Sequence, residues 1–203
     1  MKIICIGRNY AEHAKELNNP LPAEPVFFMK PDTALLKDNA PFWHPDFSSD
    51  IHFEMEMVIR ISKAGKHISQ EFAHRYYDGI TGGIDFTARD LQQKCKEKGL
   101  PWEMAKAFDH SAVIGSFIPV NEFPQLHNIS FALDVNNQRR QSGLTADMIF
   151  SFDQIIAYVS KFVTLKSGDL IFTGTPAGVG KVDPGDSLKG MIENREVFQF
   201  DVK

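Results

Sequence analysis

The chain has 203 residues, of which 43% are hydrophobic and 24% charged, a balance typical of an ordinary globular protein rather than a disordered one. Its formal net charge of −4 comes from interspersed acids and bases, which argues against a nucleic-acid-binding protein. Two cysteines are too few for a disulfide framework, and no apolar run reaches the ~18 residues of a membrane span. We therefore expect one domain over residues 1–203, a reducing, cytoplasmic location, and a small-molecule ligand rather than nucleic acid or a membrane.

The chain begins with a predicted strand and helix. Residues 2–6 are strand-like, with an apolar run over residues 3–6, and residues 11–17 have helical composition before a proline-containing stop. His13 and Glu16 are three residues apart and would share one face of that helix. Most such pairs are exposed and have no catalytic role. If this helix packs over a metal site, however, Glu16 could orient the imidazole as a general base near neutral pH.

A long loop dominates the next segment. A short strand over residues 26–29 leads into a mostly irregular segment over residues 30–49, which contains three prolines. Loops of this length are often functional. We expect the loop over residues 31–50 to fold over the pocket and to determine its size.

Residues 52–61 alternate with a period of two and are predicted to form a strand. The alternation places Glu54 and Glu56 on one face, with Cα atoms about 6 to 7 Å apart, so both side chains could reach one ion. A second strand over residues 78–86, whose paired glycines indicate a close backbone approach or a bulge, could bring Asp85 alongside. Three converging carboxylates suit Mg²⁺, Mn²⁺ or Ca²⁺ rather than zinc. On the strand pattern alone, a solvated face carrying ordinary surface acids is an equal alternative.

The remaining predicted elements are short strands and helices. Asn136-Asn137 separates two strand-like runs and predicts a hairpin. Residues 152–162 have the periodicity of a helix whose buried face includes Ile155 and Phe162. Many short strands with few helices favour a mainly β, α+β fold over a parallel doubly wound sheet. The other predicted elements are helices over residues 69–77 and 88–98, and strands over residues 129–135, 138–141, 170–173 and 198–202.

The glycine-rich stretch over residues 174–181 superficially resembles a phosphate-binding P-loop, but its spacing is wrong. Five residues rather than four separate Gly174 from Gly180, and Val182 replaces the Ser or Thr that would bind Mg²⁺. We interpret it instead as a tight turn whose backbone amides and Thr175 hydroxyl hold a small anion at the end of a strand.

Lys106 is a cation in an unusually apolar neighbourhood, Trp102 to Phe108. One interpretation is a surface lysine whose aliphatic stem covers apolar surface while its ammonium reaches water. The other is a countercharge for a carboxylate-rich pocket that also stabilises developing negative charge.

Together these segments resemble the fumarylacetoacetate hydrolase family, in the family's order over nearly the whole chain. The stretch from Cys95 to Trp102 further resembles the short-form subgroup of acylpyruvases and oxaloacetate decarboxylases. Two departures are Ile84, where the family often has Asn, and Glu193-Asn194-Arg195-Glu196, which replaces a common glycine-rich turn; neither removes a candidate site residue. The matching motifs are Gly7-Arg8-Asn9-Tyr10 with His13 and Glu16, Phe53-Glu54-Met55-Glu56, Asp85 to Gln92, Lys106-Ala107-Phe108, and Thr173 to Gly180.

The resemblance implies the family's β-roll, an α+β, mainly β fold with short peripheral helices, and a homodimer. It also implies a bound Mg²⁺ or Mn²⁺, with Ca²⁺ as an ion that could occupy the site in a crystal, and a small 2-oxo acid as the ligand. The implied site residues are Glu54, Glu56 and Asp85 as metal ligands, His13, Glu16 and Lys106 as catalytic residues, and Arg8, Gln92 and Thr175 as substrate-binding residues.

The implied reaction is metal-dependent hydrolysis of the C3–C4 bond of an acylpyruvate to pyruvate and a carboxylic acid. A hard cation chelated by a 2-oxo acid stabilises the negative charge that develops when this bond breaks. The same site could decarboxylate oxaloacetate, a reaction that needs no attacking water. Two alternatives stay open: a metal-dependent isomerase or tautomerase of 2-oxo or 2-hydroxydienoic acids, including oxaloacetate, and a non-catalytic module that binds Ca²⁺ or Mg²⁺ structurally.

Overall fold

The computed structural model describes residues 1–16 and 20–203, and within them the chain forms fifteen strands and five α-helices. Short 3-10 turns at Asp32–Ala34, Val120–Glu122 and Thr145–Asp147 connect some of these elements. The helices are α1 (Ala11–Glu16), α2 (Gln70–Ala73), α3 (Arg89–Lys98), α4 (Glu103–Lys106) and α5 (Phe152–Val159). The strands are β1 (Ile3–Gly7), β2 (Val26–Lys30), β3 (Leu35–Leu36), β4 (Ile51–Phe53), β5 (Met55–Ile61), β6 (Tyr77–Asp85), β7 (Thr87–Ala88), β8 (Ala112–Ile114), β9 (Ile118–Pro119), β10 (Ser130–Val135), β11 (Gln138–Leu144), β12 (Leu170–Phe172), β13 (Gly180–Lys181), β14 (Ser187–Ile192) and β15 (Arg195–Asp201).

The largest sheet contains eight strands in the order β2-β1-β12-β5-β6-β8-β3, with β9 paired to β6. Only the β1–β12 and β3–β8 pairs are parallel, which is unlike a doubly wound α/β sheet. At its centre β5 and β6 run antiparallel, with Met55 opposite Ile84 and Glu56 opposite Gly83. This register brings the start of β5 beside the end of β6. The predicted α+β, mainly β class is confirmed.

Two smaller sheets complete the described part of the fold. One has four antiparallel strands in the order β11-β10-β14-β15, and the other has the order β13-β4-β7. The predicted hairpin is the β10–β11 pair, whose turn residues Asn136 and Asn137 have φ values of 53° and 63°. A two-residue hairpin turn requires this left-handed backbone at both positions, and asparagine tolerates it.

The predicted strand over residues 52–61 is two strands that separate at Glu54. β4 pairs with β7 and β13, whereas β5 pairs with β6 and β12. Both faces of β5 are buried, because Met57 and Ile59 pack in the main core while Val58 packs in a second cluster with Phe172. The alternative of a solvated strand face is therefore wrong: β5 lies in the interior of the sheet and is covered on both sides.

The paired glycines of β6 mark the predicted close approach. A Cβ on Gly82 would lie 2.6 Å from Met55 Cε, and one on Gly83 would lie 2.6 Å from the Val113 carbonyl oxygen. Glycine therefore lets β5, β6 and β8 pack closely beneath the candidate site.

Two helix predictions need correction, and one falls partly outside the described residues. The helix expected over residues 69–77 is a single turn, α2, because Tyr77 already belongs to β6. Phe162 lies beyond the end of α5 and is 55% exposed rather than buried. Leu17, the last residue of the first predicted helix, lies outside the described residues.

Across residues 1–16 and 20–203, no helix is both long enough and apolar enough to cross a membrane. The single-domain organisation, the cytoplasmic location and the homodimer stay predictions.

Candidate metal centre and active site

Three buried carboxylates converge where β4, β5 and β6 meet. Glu54 lies at the break between β4 and β5, Glu56 within β5, and Asp85 at the end of β6. The Asp85 backbone N–H donates to the Glu54 carbonyl oxygen at 2.9 Å, which ties the strand ends together. One carboxylate oxygen from each residue lies within 4.8 Å of the other two, and none of the residues is more than 6% exposed. The structure thus brings together the three residues that alternation and strand pairing selected.

Three basic side chains surround this triad. Lys106 Nζ donates to Glu54 Oε2 and to Asp85 Oδ2, both at 2.8 Å. Arg89 Nη2 donates to Glu54 Oε1 at 2.7 Å, and Lys30 Nζ lies 2.8 Å from Asp85 Oδ1. Buried charges are tolerated only when they are paired, so these three cations make it possible to bury the carboxylate triad. Lys106 itself is buried, and the surface interpretation of this lysine is therefore wrong.

Burial and charge shift the pKa values of the two glutamates in opposite directions. Burial tends to raise the pKa of Glu54, but Lys106 and Arg89 outweigh burial and hold it well below its usual range. Burial and repulsion from Asp85 and Glu54 raise the pKa of Glu56 well above its usual range. Burial would lower the pKa of Lys106, yet the neighbouring carboxylates raise it overall, so its ammonium stays charged. Glu56 is thus the carboxylate whose ionised form most needs another cation.

Two carboxylate oxygens of the triad, Asp85 Oδ1 and Glu56 Oε2, have surroundings that suit a divalent metal ion. Asp85 Oδ1 is buried and accepts no hydrogen bond within the described part of the chain, since its contact with Lys30 is an ion pair without hydrogen-bond geometry. Among the described residues, Glu56 Oε2 accepts one hydrogen bond, from the backbone N–H of Gly174 at 2.6 Å, and forms no ion pair with a basic side chain. A hard cation would satisfy both groups, and an all-oxygen set is the one that Mg²⁺, Mn²⁺ and Ca²⁺ prefer.

His13 and Glu16 form a hydrogen-bonded pair on α1 beside the triad. His13 Nδ1 lies 3.0 Å from Glu16 Oε2, and Glu16 Oε1 accepts the backbone N–H of Gly178 at 3.1 Å. His13 is 6% exposed and lines the same cleft as the carboxylates. Because Nδ1 faces Glu16, Nε2 is the ring nitrogen left to exchange a proton in the cleft. The interpretation of an exposed pair is wrong for His13.

The turn that follows β12 holds carboxylates of the protein itself. Its amides at Gly174 and Gly178 donate to Glu56 and Glu16, one from the triad and one from the histidine pair. Gly174 has a φ of +100°, and a Cβ there would lie 2.6 Å from Asn9 Cβ, so the position requires glycine. Two amides of this turn therefore hold carboxylate side chains of the site, whereas the predicted small anion and the role of the Thr175 hydroxyl in holding it stay predictions.

Arg8, Gln92 and Thr175 line the cleft as well. Gln92 Oε1 accepts a hydrogen bond from Arg89 Nη1 at 2.8 Å, which leaves the amide NH₂ group as a donor for other partners. The Thr175 hydroxyl accepts a hydrogen bond from Gln141 Nε2 at 2.8 Å. Arg8 is half-buried at the end of β1. The structure therefore places eight of the nine candidate residues in the lining of one cleft, while Glu16 contacts His13 from outside that lining. The roles of all nine stay predictions.

Sequence reasoning missed Lys30 and Arg89. Lys30 begins the predicted irregular segment over residues 30–49, but in the structure it ends β2 and is 2% exposed. It donates to Ser111 Oγ at 2.9 Å and to the Lys106 carbonyl oxygen. Its position two residues after Phe28, in an alternating run, was the available signal for an inward side chain. Arg89 precedes Gln92 by three residues on α3, a spacing that places both on one helix face.

The loop over residues 31–50 does not determine the size of the cleft. No residue of this loop is among those that line the cleft in the described chain. Phe42 instead pairs with Val202, and its N–H donates to the Asp201 carbonyl oxygen at 2.9 Å, which docks the loop beside β15. The apolar wall consists of Val26, Phe28 and Trp102, which also border an adjoining cavity of about 230 Å³.

Comparisons of the sequence with known proteins identify the family of this chain. The family model described as fumarylacetoacetate (FAA) hydrolase C-terminal matches residues 2–201. The mitochondrial oxaloacetate tautomerase FAHD1 of Mus musculus is 42% identical over 201 residues, which cover 99% of this chain and 91% of that protein. The mitochondrial oxaloacetate decarboxylase of Dictyostelium discoideum is 45% identical over 203 residues, with coverages of 99% and 93%.

Solved structures agree. The crystal structure of fumarylpyruvate hydrolase from Pseudomonas aeruginosa in complex with Mn²⁺ and pyruvate matches with a TM-score of 0.93 at 37% identity, covering 100% of this chain and 89% of that one. The similarity extends over the whole chain in both sequence and structure. The resemblance carried by the five motifs is confirmed, and the chain belongs to the fumarylacetoacetate hydrolase family.

Proposed function

We propose that the protein is a metal-dependent enzyme that hydrolyses the C3–C4 bond of acylpyruvates and releases pyruvate and a carboxylic acid. The observation that carries the proposal is a buried histidine, hydrogen-bonded to Glu16, that lines the same cleft as the carboxylate triad. A structural ion site would use the triad but has no need of His13 and Glu16. A relative whose name is fumarylpyruvate hydrolase was crystallised with Mn²⁺ and pyruvate, and that name supports this class of substrate.

His13 acts as the general base in this proposal. Its Nε2 takes a proton from the water that attacks the C4 carbonyl of the substrate, while Nδ1–H donates to Glu16. The Glu16 carboxylate favours the imidazolium that forms, and the Gly178 N–H fixes that carboxylate. The pair is therefore oriented before a substrate arrives.

Glu54, Glu56 and Asp85 would hold Mg²⁺ or Mn²⁺, which when bound supplies electrophilic stabilisation of the negative charge that develops as the C3–C4 bond breaks. Lys106 keeps its proton because the carboxylates raise its pKa, and its positive charge stabilises that negative charge, toward which the Gln92 amide donates. Arg8 and Thr175 contact the bound 2-oxo acid.

Oxaloacetate chemistry is the second candidate, favoured by relatives named oxaloacetate tautomerase and oxaloacetate decarboxylase. In decarboxylation the C3–C4 bond breaks, carbon dioxide leaves and C3 gains a proton. In tautomerisation no carbon–carbon bond breaks, and His13 moves a proton between C3 and the keto oxygen. Neither reaction requires an attacking water.

The test is an assay of the purified protein with acetylpyruvate, fumarylpyruvate and oxaloacetate, each with Mg²⁺, with Mn²⁺ and with excess chelator. We expect pyruvate and the matching carboxylic acid from the two acylpyruvates, with activity lost on chelation and restored by the metal. NMR identification of the products separates hydrolysis, decarboxylation and tautomerisation. Turnover that survives complete metal removal would contradict the proposed function.

A further inference from the structure

We propose that Gln141 is a positioning residue, which fixes the Thr175 hydroxyl as a hydrogen-bond donor to an oxygen of the bound 2-oxo acid. This role rests on the proposed function, because the 2-oxo acid is the ligand proposed above. It gives a direction to the hydrogen bond of Thr175, and it assigns a function to a residue that does not itself line the cleft.

Gln141 is a polar residue that strand β11 buries. Of the seven residues of β11, Gln141 alone is buried, and it is 1% exposed. The pairing of β10 with β11 passes from Leu133–Gln141 to Asp134–Arg139, so Arg140 is the extra residue of a β-bulge. Bulges redirect neighbouring side chains and are common beside active sites. This bulge directly precedes Gln141 and helps to aim its amide inward.

Two backbone groups determine which end of the Gln141 amide carries the oxygen. Gln141 Oε1 accepts the backbone N–H of Met55 at 2.9 Å, and Nε2 donates to the Pro176 carbonyl oxygen at 2.9 Å. A backbone N–H can only donate and a carbonyl oxygen can only accept, so a flipped amide would lose both hydrogen bonds. The NH₂ group therefore faces the turn that follows β12.

This orientation sets the direction of the hydrogen bond to Thr175. Gln141 Nε2 lies 2.8 Å from Thr175 Oγ1, and because an amide nitrogen only donates, Oγ1 must accept. The hydroxyl hydrogen is then left for another acceptor. Within residues 1–16 and 20–203 that acceptor is the Pro176 carbonyl oxygen at 3.5 Å, whereas O–H···O bonds are usually about 2.5 to 3.0 Å long. The described residues therefore offer the Thr175 hydrogen no acceptor at a good distance.

A ligand in the cleft can supply the acceptor. Thr175 lines the cleft together with the carboxylate triad and is 3% exposed, and buried hydroxyls are rarely left unpaired. The carboxylate and keto oxygens of a 2-oxo acid can only accept, so they are complementary to a hydroxyl that has only its hydrogen to offer. A hydroxyl with both roles open would bind a donor group of a ligand equally well.

The turn that carries Thr175 also packs against the bulge of β11. A Cβ on Gly178 would clash with the Arg140 carbonyl oxygen, so the turn and the bulge approach closely at that point. Gln141 thus joins β11 to the start of β5, through Met55, and to the turn after β12. A hydroxyl oriented in this way before a ligand arrives loses less freedom when the ligand binds.

A double-mutant cycle tests whether Gln141 acts through Thr175. Gln141→Met removes the amide and keeps the side-chain length, and Thr175→Val removes the hydroxyl and keeps the shape. Calorimetric titration of the Mn²⁺-loaded protein with pyruvate measures Kd for each variant and for the two combined. Gln138→Met is the matched control, because Gln138 is an exposed residue of the same strand.

We expect Thr175→Val to raise the Kd for pyruvate at least about tenfold, the loss expected from one hydrogen bond to a charged group. Gln141→Met should raise it about three- to tenfold, because the Thr175 hydroxyl can then turn toward the Pro176 carbonyl oxygen. In the Thr175→Val background the same change should have less than about a twofold effect. The control should stay within about twofold of wild type.

An equal effect of Gln141→Met with and without the Thr175 hydroxyl would overturn the proposal, and so would an unchanged Kd in either single variant. With acetylpyruvate as substrate, both single variants should raise KM and change kcat less, as for a contact made equally in the ground and transition states. If Gln141→Met does not fold, because the Met55 N–H has lost its acceptor, Gln141→Glu keeps that acceptor while its ionised carboxylate would accept the Thr175 hydrogen. The same comparison in the two backgrounds then applies.

The binding measurement separates this role from the proposed function. If the wild-type protein binds pyruvate but turns over no acylpyruvate, the proposed function fails and the cycle still decides the role of Gln141. If turnover is present and the cycle shows no coupling, the role of Gln141 alone fails. A wild-type protein that does not bind pyruvate would remove the ligand of Thr175 and would overturn both.

Discussion

The carboxylate triad and the histidine pair share one cleft but rest on very different supports. Glu56 and Asp85 belong to β5 and β6, two interior strands of the eight-stranded sheet. His13 and Glu16 belong to α1, a helix of six residues. A helix this short is marginal by itself, so contacts such as that from Gly178 determine its position. Changes to the triad should therefore alter metal binding and stability, whereas changes to the pair should alter catalysis alone.

Glu56→Gln should have the largest effect, because it removes a metal ligand while keeping an acceptor for the Gly174 N–H. We expect Mn²⁺ affinity to fall at least about 100-fold, more than is typical for loss of an outer-shell partner, and hydrolysis to be lost. Calorimetric titration with Mn²⁺ measures the first effect, and the release of pyruvate measures the second.

The same variant should make the metal-free protein more stable at neutral pH. The folded-state pKa of Glu56 is raised above its unfolded value of about 4.3, so ionising it costs stability as the pH rises through the folded-state pKa. Glutamine removes that cost, and we expect Tm to rise by about 2 to 4 °C at high pH and not at all below pH of about 4. A fall in the metal-free Tm at pH 8 would show that the Glu56 charge is stabilising even without metal.

His13→Ala should reduce acylpyruvate hydrolysis by about 10²- to 10⁴-fold, the usual contribution of a general base. Oxaloacetate decarboxylation should fall less, because no water has to be deprotonated. Mn²⁺ affinity should stay within about threefold of wild type, since the imidazole is not a ligand in this proposal. Equal losses of the two activities would contradict the role of His13 in activating water, and a loss of Mn²⁺ binding would contradict the separation of the two supports.

Lys30→Met tests whether the buried Lys30 ammonium stabilises the folded protein through its ion pair with the triad. The variant leaves Asp85 Oδ1 without its ion pair and removes the donor to Ser111 and to the Lys106 carbonyl oxygen. Breaking a buried ion pair costs about 3 to 5 kcal/mol, which corresponds to a fall in Tm of at least about 6 °C for a chain of this size. Thermal unfolding in excess chelator measures this, with exposed Lys15→Met on α1 as the control. A fall below about 2 °C would mean that Lys30 does not stabilise the buried triad.

The two supports also differ in how well the sequence predicts them. Alternation over residues 52–61 and a glycine-marked partner strand are local patterns, and they were enough to place Glu54, Glu56 and Asp85 together. The break at Glu54 was not predicted, because it depends on β4 pairing with the distant strands β7 and β13. The position of α1 over the triad followed only from the family resemblance, since no local pattern specifies which surface a six-residue helix contacts.

Long-range docking accounts for the other errors. The loop over residues 31–50 lies away from the cleft because Phe42 pairs with Val202, a contact between residues 160 positions apart that no window of sequence reveals. The predicted strand ends at residue 29 and leaves Lys30 in the irregular segment over residues 30–49, whereas β2 includes it. Its buried partners, Asp85 and Ser111, come from separate parts of the chain. A buried lysine is recognised only when those partners are assembled.

Gly178→Ala should have the smallest effect and isolates the contact that positions α1. Gly178 has a φ of +96°, and a Cβ there would lie 2.4 Å from the Arg140 carbonyl oxygen, so alanine must shift the amide that donates to Glu16. We expect kcat for hydrolysis to fall about tenfold, as for misplacement of a general base, with Mn²⁺ affinity unchanged. Gly185→Ala is the matched control, because Gly185 has a φ of +101° with no atom within 4 Å of the added Cβ. Both variants carry similar left-handed backbone strain, but only Gly178→Ala adds a clash with the Arg140 carbonyl oxygen. We therefore expect Gly178→Ala to lower Tm more than Gly185→Ala does, and only Gly178→Ala to displace the Glu16 carboxylate. Equal losses of kcat in the two variants would attribute the effect to strain and would remove the turn after β12 from the support of the histidine pair.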